Sequence, residues 1–170
     1  MRLPWKRLLL FVLLFTAMYA ALSHAWSEGL SHWVIDVATV KPAAWIARNL
    51  TGGQAIVAAG SHLQSQRVSI NVLYGCEGTD VWMLLAAALL VAPVAWRDRL
   101  LGLAAGTVFV FAINQLRVLA LFFSLWLRPA WFGPLHGLIA PLTVVALVAA
   151  FFLAWLRWAA RPGANARAPA

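Results

Sequence analysis

The single cysteine of the sequence lies in a setting that favours a reactive thiol. Cys76 follows Gly75 and precedes Glu77-Gly78. A lone cysteine is often a small apolar filler of a protein core, and that alternative stands for any cysteine considered in isolation. A polar turn that contains glycine instead predicts an exposed thiol with free backbone N–H groups beside it, and such a thiol becomes a nucleophile once it ionises.

Two polar residues interrupt a long apolar run further along the chain. Asn114 and Arg117 are three positions apart, so a helix places them on one face. An arginine inside an apolar run is costly and usually functional or paired, although its side chain can also extend to the membrane surface. Asn114 is equally well explained by a hydrogen bond between helices.

His136 precedes the last apolar run and completes a set of residues suited to acyl transfer. A Cys76 thiolate would attack a carbonyl, and His136 would take the thiol proton and return it to the leaving amine. Arg117 is always protonated, so it would stabilise the oxyanion. Glu77 and Asp80 fit solvated or helix-capping residues. No residue spacing indicates a metal site, and no nucleotide, haem or flavin motif is present, so we expect no cofactor.

The composition predicts a membrane protein. Hydrophobic residues make up 64% of the 170 positions and charged residues 11%, whereas soluble domains are roughly 45–50% apolar. A chain this small cannot bury such an excess, so lipid must cover much of it. The net charge of +8 comes from basic residues that flank apolar runs. It therefore indicates membrane orientation and not nucleic-acid binding.

The apolar runs predict an all-α integral membrane protein with a single domain over residues 1–170. We expect about four transmembrane helices, each long enough or nearly long enough to cross a hydrocarbon core that needs about 20 residues. The predicted spans are 8–25, 80–96, 100–126 and 137–156. The first could instead be a cleaved signal peptide ending near Ala25, and either alternative places the next segment of the chain outside the cytoplasm.

Residues 26–79 are expected to form an extracytoplasmic segment. Mixed apolar and charged residues before Gly52 predict short amphipathic helices on the membrane surface. Alternating residues then predict a β-hairpin with strands at 54–58 and 67–74 and a turn at 60–66. The Pro- and Ala-rich tail at 162–170 is expected to be disordered.

Charge distribution predicts the orientation and the depth of the candidate residues. With four spans, both termini and Arg97–Arg99 lie on one side, which collects most basic residues and is therefore cytoplasmic. A rise of about 1.5 Å per residue from Leu100 places Asn114 and Arg117 roughly 21 and 26 Å higher, in the outer part of a core about 30 Å thick. Cys76 and His136 flank spans at the same outer surface. Their depths match, and contact between them is a conjecture.

These motifs, taken in order, resemble the exosortase/archaeosortase family. The chain has Cys76-Glu77-Gly78 before a span, Asn114-Gln115-Leu116-Arg117 within the next, and His136-Gly137 at the start of a later one. The resemblance covers roughly residues 50–156 and is closest to small kinds such as exosortase H or M. It implies that Cys76, Arg117 and His136 are catalytic and that Asn114, Glu77 and Gly78 support them.

The resemblance implies a membrane-embedded cysteine transpeptidase or endopeptidase in the bacterial inner membrane, with its active site facing the periplasm. Its partners would be membrane lipid and exported proteins that carry a C-terminal sorting motif, a transmembrane helix and a basic cluster. One alternative is a non-enzymatic membrane subunit of a secretion or polysaccharide-export system. Another is a small transporter with Arg117 beside an anion path, which the nearly polar-free second and fourth spans disfavour.

Overall fold

The computed structural model of this protein describes residues 5–161. The tail predicted to be disordered, residues 162–170, lies outside the described residues. Helices account for most of the described chain, and a small sheet lies between the second and third of them.

The N-terminal third is a broken helical path. Helix α1 (Trp5–Ala25) continues into a π-helical segment (Trp26–Leu30), where Gly29 has a left-handed φ of 97° and bends the path. A second π-helical segment (His32–Val40) leads into α2 (Lys41–Leu50), whose second residue is proline. Ala43, Ala44 and Ala47 form the buried face of α2. The short helices predicted for this segment are therefore present.

Three short strands come next, in place of the predicted two-stranded hairpin. Strands β1 (Val57–Ala59), β2 (His62–Gln64) and β3 (Ser69–Asn71) pair antiparallel in the order β1-β2-β3. The turn predicted at 60–66 is wrong, because that stretch contains β2. Gly60, at a φ of +59°, lets the chain reverse sharply, and Leu63 of β2 is fully buried at 0% exposure.

The C-terminal half holds the longest helix of the described chain. Helix α3 (Thr79–Val91) is followed by α4 (Trp96–Leu127). A 3₁₀ turn (Pro129–Trp131), the short α5 (Phe132–Pro134) and a π-helical segment (Leu135–Ile139) then lead without a break into the last helix. That helix is α6 (Ala140–Ala159).

Within residues 5–161, three helical stretches are long and apolar enough to cross a membrane: Trp5–Leu30, Trp96–Leu127 and Pro129–Ala159. They agree with three of the four predicted spans. The predicted second span, 80–96, is too long, since α3 has 13 residues and a length of about 20 Å. Pro93 disfavours helical backbone in the residue before it, so α3 ends early. The Arg97–Arg99 stretch, expected to be a loop, lies in the first turn of α4.

Helix α4 takes part in both apolar clusters of the molecule. One apolar cluster packs α4 against α3 and α6 through residues that include Leu85, Val110 and Val148. A second cluster packs the C-terminal third of α4, including Phe122, against the sheet and α2. We call the end of the bundle that holds Cys76 and the sheet the Cys76 end, and the opposite end, where α4 begins, the Trp96 end.

Candidate active site around Cys76

The loop between β3 and α3 carries the only cysteine. The Cys76 backbone N–H donates a hydrogen bond to the Leu73 carbonyl oxygen at 2.9 Å, and its side chain is half-buried. Gly75 and Gly78 flank Cys76 with φ values of +85° and +86°, a region that residues with a Cβ rarely adopt. The local glycine pattern therefore gives this loop its shape.

Arg117 lies next to the thiol, a contact that the matching depths allowed but did not predict. Its Nη2 atom is 3.9 Å from the Cys76 Sγ atom, a contact between residues 41 positions apart in the chain. The Arg117 side chain is half-buried, and among residues 5–161 its Nε atom has no hydrogen-bond partner. The guanidinium therefore has donor capacity left for a ligand.

Asn114 holds the same loop one helical turn away. Its Nδ2 atom donates a hydrogen bond to the Glu77 carbonyl oxygen at 2.9 Å. The contact is close, because a Cβ built on Gly78 would lie 3.0 Å from the Asn114 Cγ atom. Asn114 and Arg117 thus contact successive residues of the loop, Glu77 and Cys76, and fix its position along α4.

Glu77 lies where sequence reasoning did not expect it. Its side chain is 6% exposed, although a solvated or capping position was predicted. The Thr79 hydroxyl donates a hydrogen bond to Glu77 Oε1, and the N-cap residue of α3 is Gly78. Among the described residues, Glu77 Oε2 has no hydrogen-bond partner.

Tyr74 and Gln115 are two site neighbours that sequence reasoning missed. Hydrogen bonding with Tyr19, followed by partial burial and the carboxylates of Asp80 and Glu77, raises the pKa of Tyr74 to about 12. Tyr74 therefore stays protonated near neutral pH and cannot serve as a base there. Gln115 is buried and donates through Nε2 to the Ala38 carbonyl oxygen at 3.3 Å. Its position beside Asn114 in an apolar run was the signal for a buried polar contact.

His136 is not in contact with the thiol through any hydrogen bond. Its side chain is exposed, and its ring stacks on Phe132 with centroids 5.5 Å apart. Between residues 5 and 161, no hydrogen bond joins His136 to Cys76 or Arg117. Its neighbours Leu135 and Ile139 do line a cavity of about 230 Å³ together with Arg117. The structure therefore brings Cys76 and Arg117 together and leaves His136 near the cavity that Arg117 lines.

The described part of the chain contains no group of three or more His, Cys, Asp or Glu residues arranged to hold a metal ion. The chemistry available at the Cys76 end comes from a thiol, a guanidinium, an amide and a buried carboxylate. These groups suit nucleophilic attack on a carbonyl with stabilisation of the resulting oxyanion.

No protein-family model, curated protein sequence or solved structure matches this chain. The resemblance to exosortases therefore depends on the three short motifs and on their positions.

Proposed function

We propose that this protein is a membrane-embedded cysteine transpeptidase or endopeptidase that processes C-terminal sorting signals of exported proteins at the outer face of the inner membrane. The observation that carries the proposal is the separation of 3.9 Å between Arg117 Nη2 and Cys76 Sγ. An arginine that a long apolar helix places beside the sole thiol has a chemical use, because an arginine within such a helix is costly in a membrane.

The proposed reaction uses a thioester intermediate. The Cys76 thiolate forms a C–S bond to the carbonyl carbon of the scissile peptide, and the carbonyl electron pair moves to oxygen, where the Arg117 guanidinium stabilises it. The C–N bond then breaks, and His136 gives a proton to the leaving amine. Water or an amine cleaves the thioester and regenerates the thiol. Since His136 is exposed, this route requires substrate binding to bring its ring towards Cys76.

The cavity next to Arg117 supports an apolar substrate. It is lined by side chains of α4, of the π-helical segment before α6 and of α6 itself, among them Leu116, Leu135 and Val144. Arg117 is the one charged residue among those that line it. A transmembrane segment in this position would bring a peptide bond near its end to the guanidinium, and the orientation gained by such binding lowers the barrier to attack.

The exposed position of His136 favours a second candidate function. Without a base in contact with Cys76, the chain would serve as a non-enzymatic membrane subunit of a secretion or polysaccharide-export system. The tight contacts of Asn114 and Arg117 with the loop would then hold the fold together, and no thiol chemistry would be needed.

Processing of a candidate substrate with a C-terminal sorting helix tests the enzyme proposal. The assay follows the substrate on a gel, in the native host or in reconstituted membranes. We expect Cys76→Ala, Arg117→Ala and His136→Ala to abolish processing while the proteins still insert, and Cys76→Ser to leave a trace at most. Arg128→Ala and His62→Ala are matched controls, since both residues are exposed and outside the site. Normal processing by Cys76→Ala would support the subunit function instead.

Thiol alkylation measures the Arg117 contact without a substrate. The protein has one cysteine, so a maleimide reports on Cys76 alone. We expect Arg117→Ala to slow alkylation on the order of tenfold, the ratio for about 1.4 kcal/mol, and Arg128→Ala to leave the rate unchanged. An equal rate in Arg117→Ala would mean that the guanidinium does not activate the thiol.

A further inference from the structure

A second cavity is lined in part by Glu77, whose side chain is buried. This cavity has a volume of about 210 Å³ and is lined by parts of the second π-helical segment, of α3 and of α4. Its polar side chains are those of Glu77, Thr39, Thr79 and Thr107, and the largest apolar ones are those of Trp82 and Phe111. We call it the Glu77 cavity. Arg117 and Cys76 are not among its lining residues.

The Glu77 carboxylate lacks a counter-ion in the described chain. Its side chain is 94% buried, as its exposure is 6%, and Oε2 has no hydrogen-bond partner among residues 5–161. The ion pair present in those residues, His32 with Asp36, does not involve it. Burying a carboxylate costs several kcal/mol unless a positive group or hydrogen-bond donors compensate it. A ligand with a positive charge would supply that compensation.

The hydroxyl groups around the cavity also favour a ligand that only donates hydrogen bonds. The Thr39 hydroxyl donates to the Val34 carbonyl oxygen at 2.8 Å, and the Thr79 hydroxyl donates to Glu77. The Thr107 hydroxyl donates to the Leu103 carbonyl oxygen at 2.7 Å. Each hydroxyl has a single proton, so these three offer the cavity only acceptor lone pairs. Phosphate or carboxylate ligands would find no donor in them, whereas an ammonium group has three donors and no acceptor.

We propose that the Glu77 cavity binds a primary ammonium group attached to an apolar chain, with the Glu77 carboxylate as its counter-ion. The apolar chain would lie along Trp82, Val110 and Phe111. Phe111 is 47% exposed on the surface of α4, which in a membrane-spanning helix faces lipid, so the cavity can be entered from the bilayer. The ligand is either a membrane lipid with an amino headgroup or a free amphiphilic amine.

Photo-crosslinking tests this site with a defined probe. The full-length protein in phosphatidylcholine nanodiscs is irradiated with a dodecylamine derivative that carries a diazirine on its chain, and mass spectrometry locates the adducts. We expect labelling of peptides that contain Trp82, Val110 or Phe111. The matched dodecanol derivative should label them at least about tenfold less, as expected for the loss of a charge-assisted hydrogen bond.

Four variants separate the carboxylate from the rest of the site. Glu77→Gln should remove the preference for amine over alcohol, whereas Glu28→Gln should keep it, because Glu28 is exposed and does not line the cavity. Thr39→Val removes one acceptor and should weaken amine labelling severalfold even if Glu77→Gln fails to fold. Cys76→Ala should bind normally, so this test is independent of the proposed thiol chemistry.

Competition distinguishes the two sources of the ligand. Suppression by phosphatidylethanolamine in the nanodisc, without suppression by a soluble short amine, identifies a lipid headgroup. Suppression by dodecylamine alone identifies a free amphiphile. Equal labelling by the amine and alcohol probes, or amine labelling that Glu77→Gln leaves unchanged, would overturn the proposal.

Discussion

Helix α4 contacts its neighbours in two different ways along its length. Towards the Trp96 end, glycines let large side chains come close: a Cβ on Gly102 would lie 2.7 Å from Trp155 Nε1, and one on Gly106 would lie 2.9 Å from a Leu85 methyl group. Towards the Cys76 end, polar contacts through Asn114 and Arg117 are added to the apolar packing around Phe122. The first kind sets the distance between helices and the second sets the position of one loop, so stability and thiol reactivity should respond to different substitutions.

Gly78→Ala should have the largest effect, since it disturbs the polar end in two ways. A side chain at a φ of +86° costs roughly 1–2 kcal/mol, and crowding against Asn114 adds about 1–3 kcal/mol. We expect a total of about 2–5 kcal/mol, measured by denaturant unfolding of the detergent-solubilised protein, together with an altered rate of Cys76 alkylation.

Gly53→Ala is the matched control for Gly78→Ala. Gly53 has a similar φ of +90° but no atom within 4 Å of a built Cβ. The Gly53→Ala variant should therefore lose stability only through the backbone strain that the new side chain introduces. If both alanine variants lose the same free energy of unfolding and their Cys76 thiols are alkylated at the same rate, the close approach of Asn114 to the loop does not contribute to stability.

Gly102→Ala should have an intermediate effect that is confined to stability. The new methyl group would push against the Trp155 ring, and overpacking of this kind costs about 1–3 kcal/mol. Thermal unfolding should show the loss, while the alkylation rate of Cys76 should stay within experimental error of wild type. Gly133→Ala has open space and should be close to neutral. A changed thiol rate in Gly102→Ala would show that the two ends of α4 are coupled.

Asn114→Ala should have the smallest effect on stability and a clear effect on the thiol. Losing the buried hydrogen bond to the Glu77 carbonyl should cost about 1–2 kcal/mol in denaturant unfolding. The alkylation rate of Cys76 should change as well, although Asn114 does not touch the sulfur, because the loop is released from α4. Asn49→Ala removes an exposed hydrogen bond to the Trp45 carbonyl and should change neither quantity.

The contrast between the helices and the sheet shows what the sequence could predict. Long apolar runs mark α1, α4 and α6 because lipid imposes a single, strong requirement on them. Pro93 also indicates an end to α3. The prediction extended this span to Trp96 because the apolar run continues to that residue. Strands of three residues contain too few alternations for the two-residue period of a strand to be recognised. The prediction therefore placed a turn where β2 lies.

At the site, depth was predictable and lateral contact was not. The rise along a helix gave Arg117 the same height as the thiol, and the two are in contact. Which face a helix turns towards its neighbours depends on packing across the whole bundle, for which a single sequence has no signal. His136 shows this limit, since its predicted role needs a contact that the exposed ring does not make. The burial of Glu77 likewise results from how Asn114 draws its backbone onto α4.

The shortness of α3 matters for how the protein fits a bilayer. Helix α3 spans about 20 Å, whereas α4, with 32 residues, spans about 48 Å. Helix α3 packs against α1, α4 and α6, and Leu84 is its one exposed residue. Lipid therefore contacts the long helices around α3, and those helices set the thickness of the hydrocarbon layer beside the protein. A helix too short to cross the core is thus accommodated inside the bundle without local thinning of the bilayer.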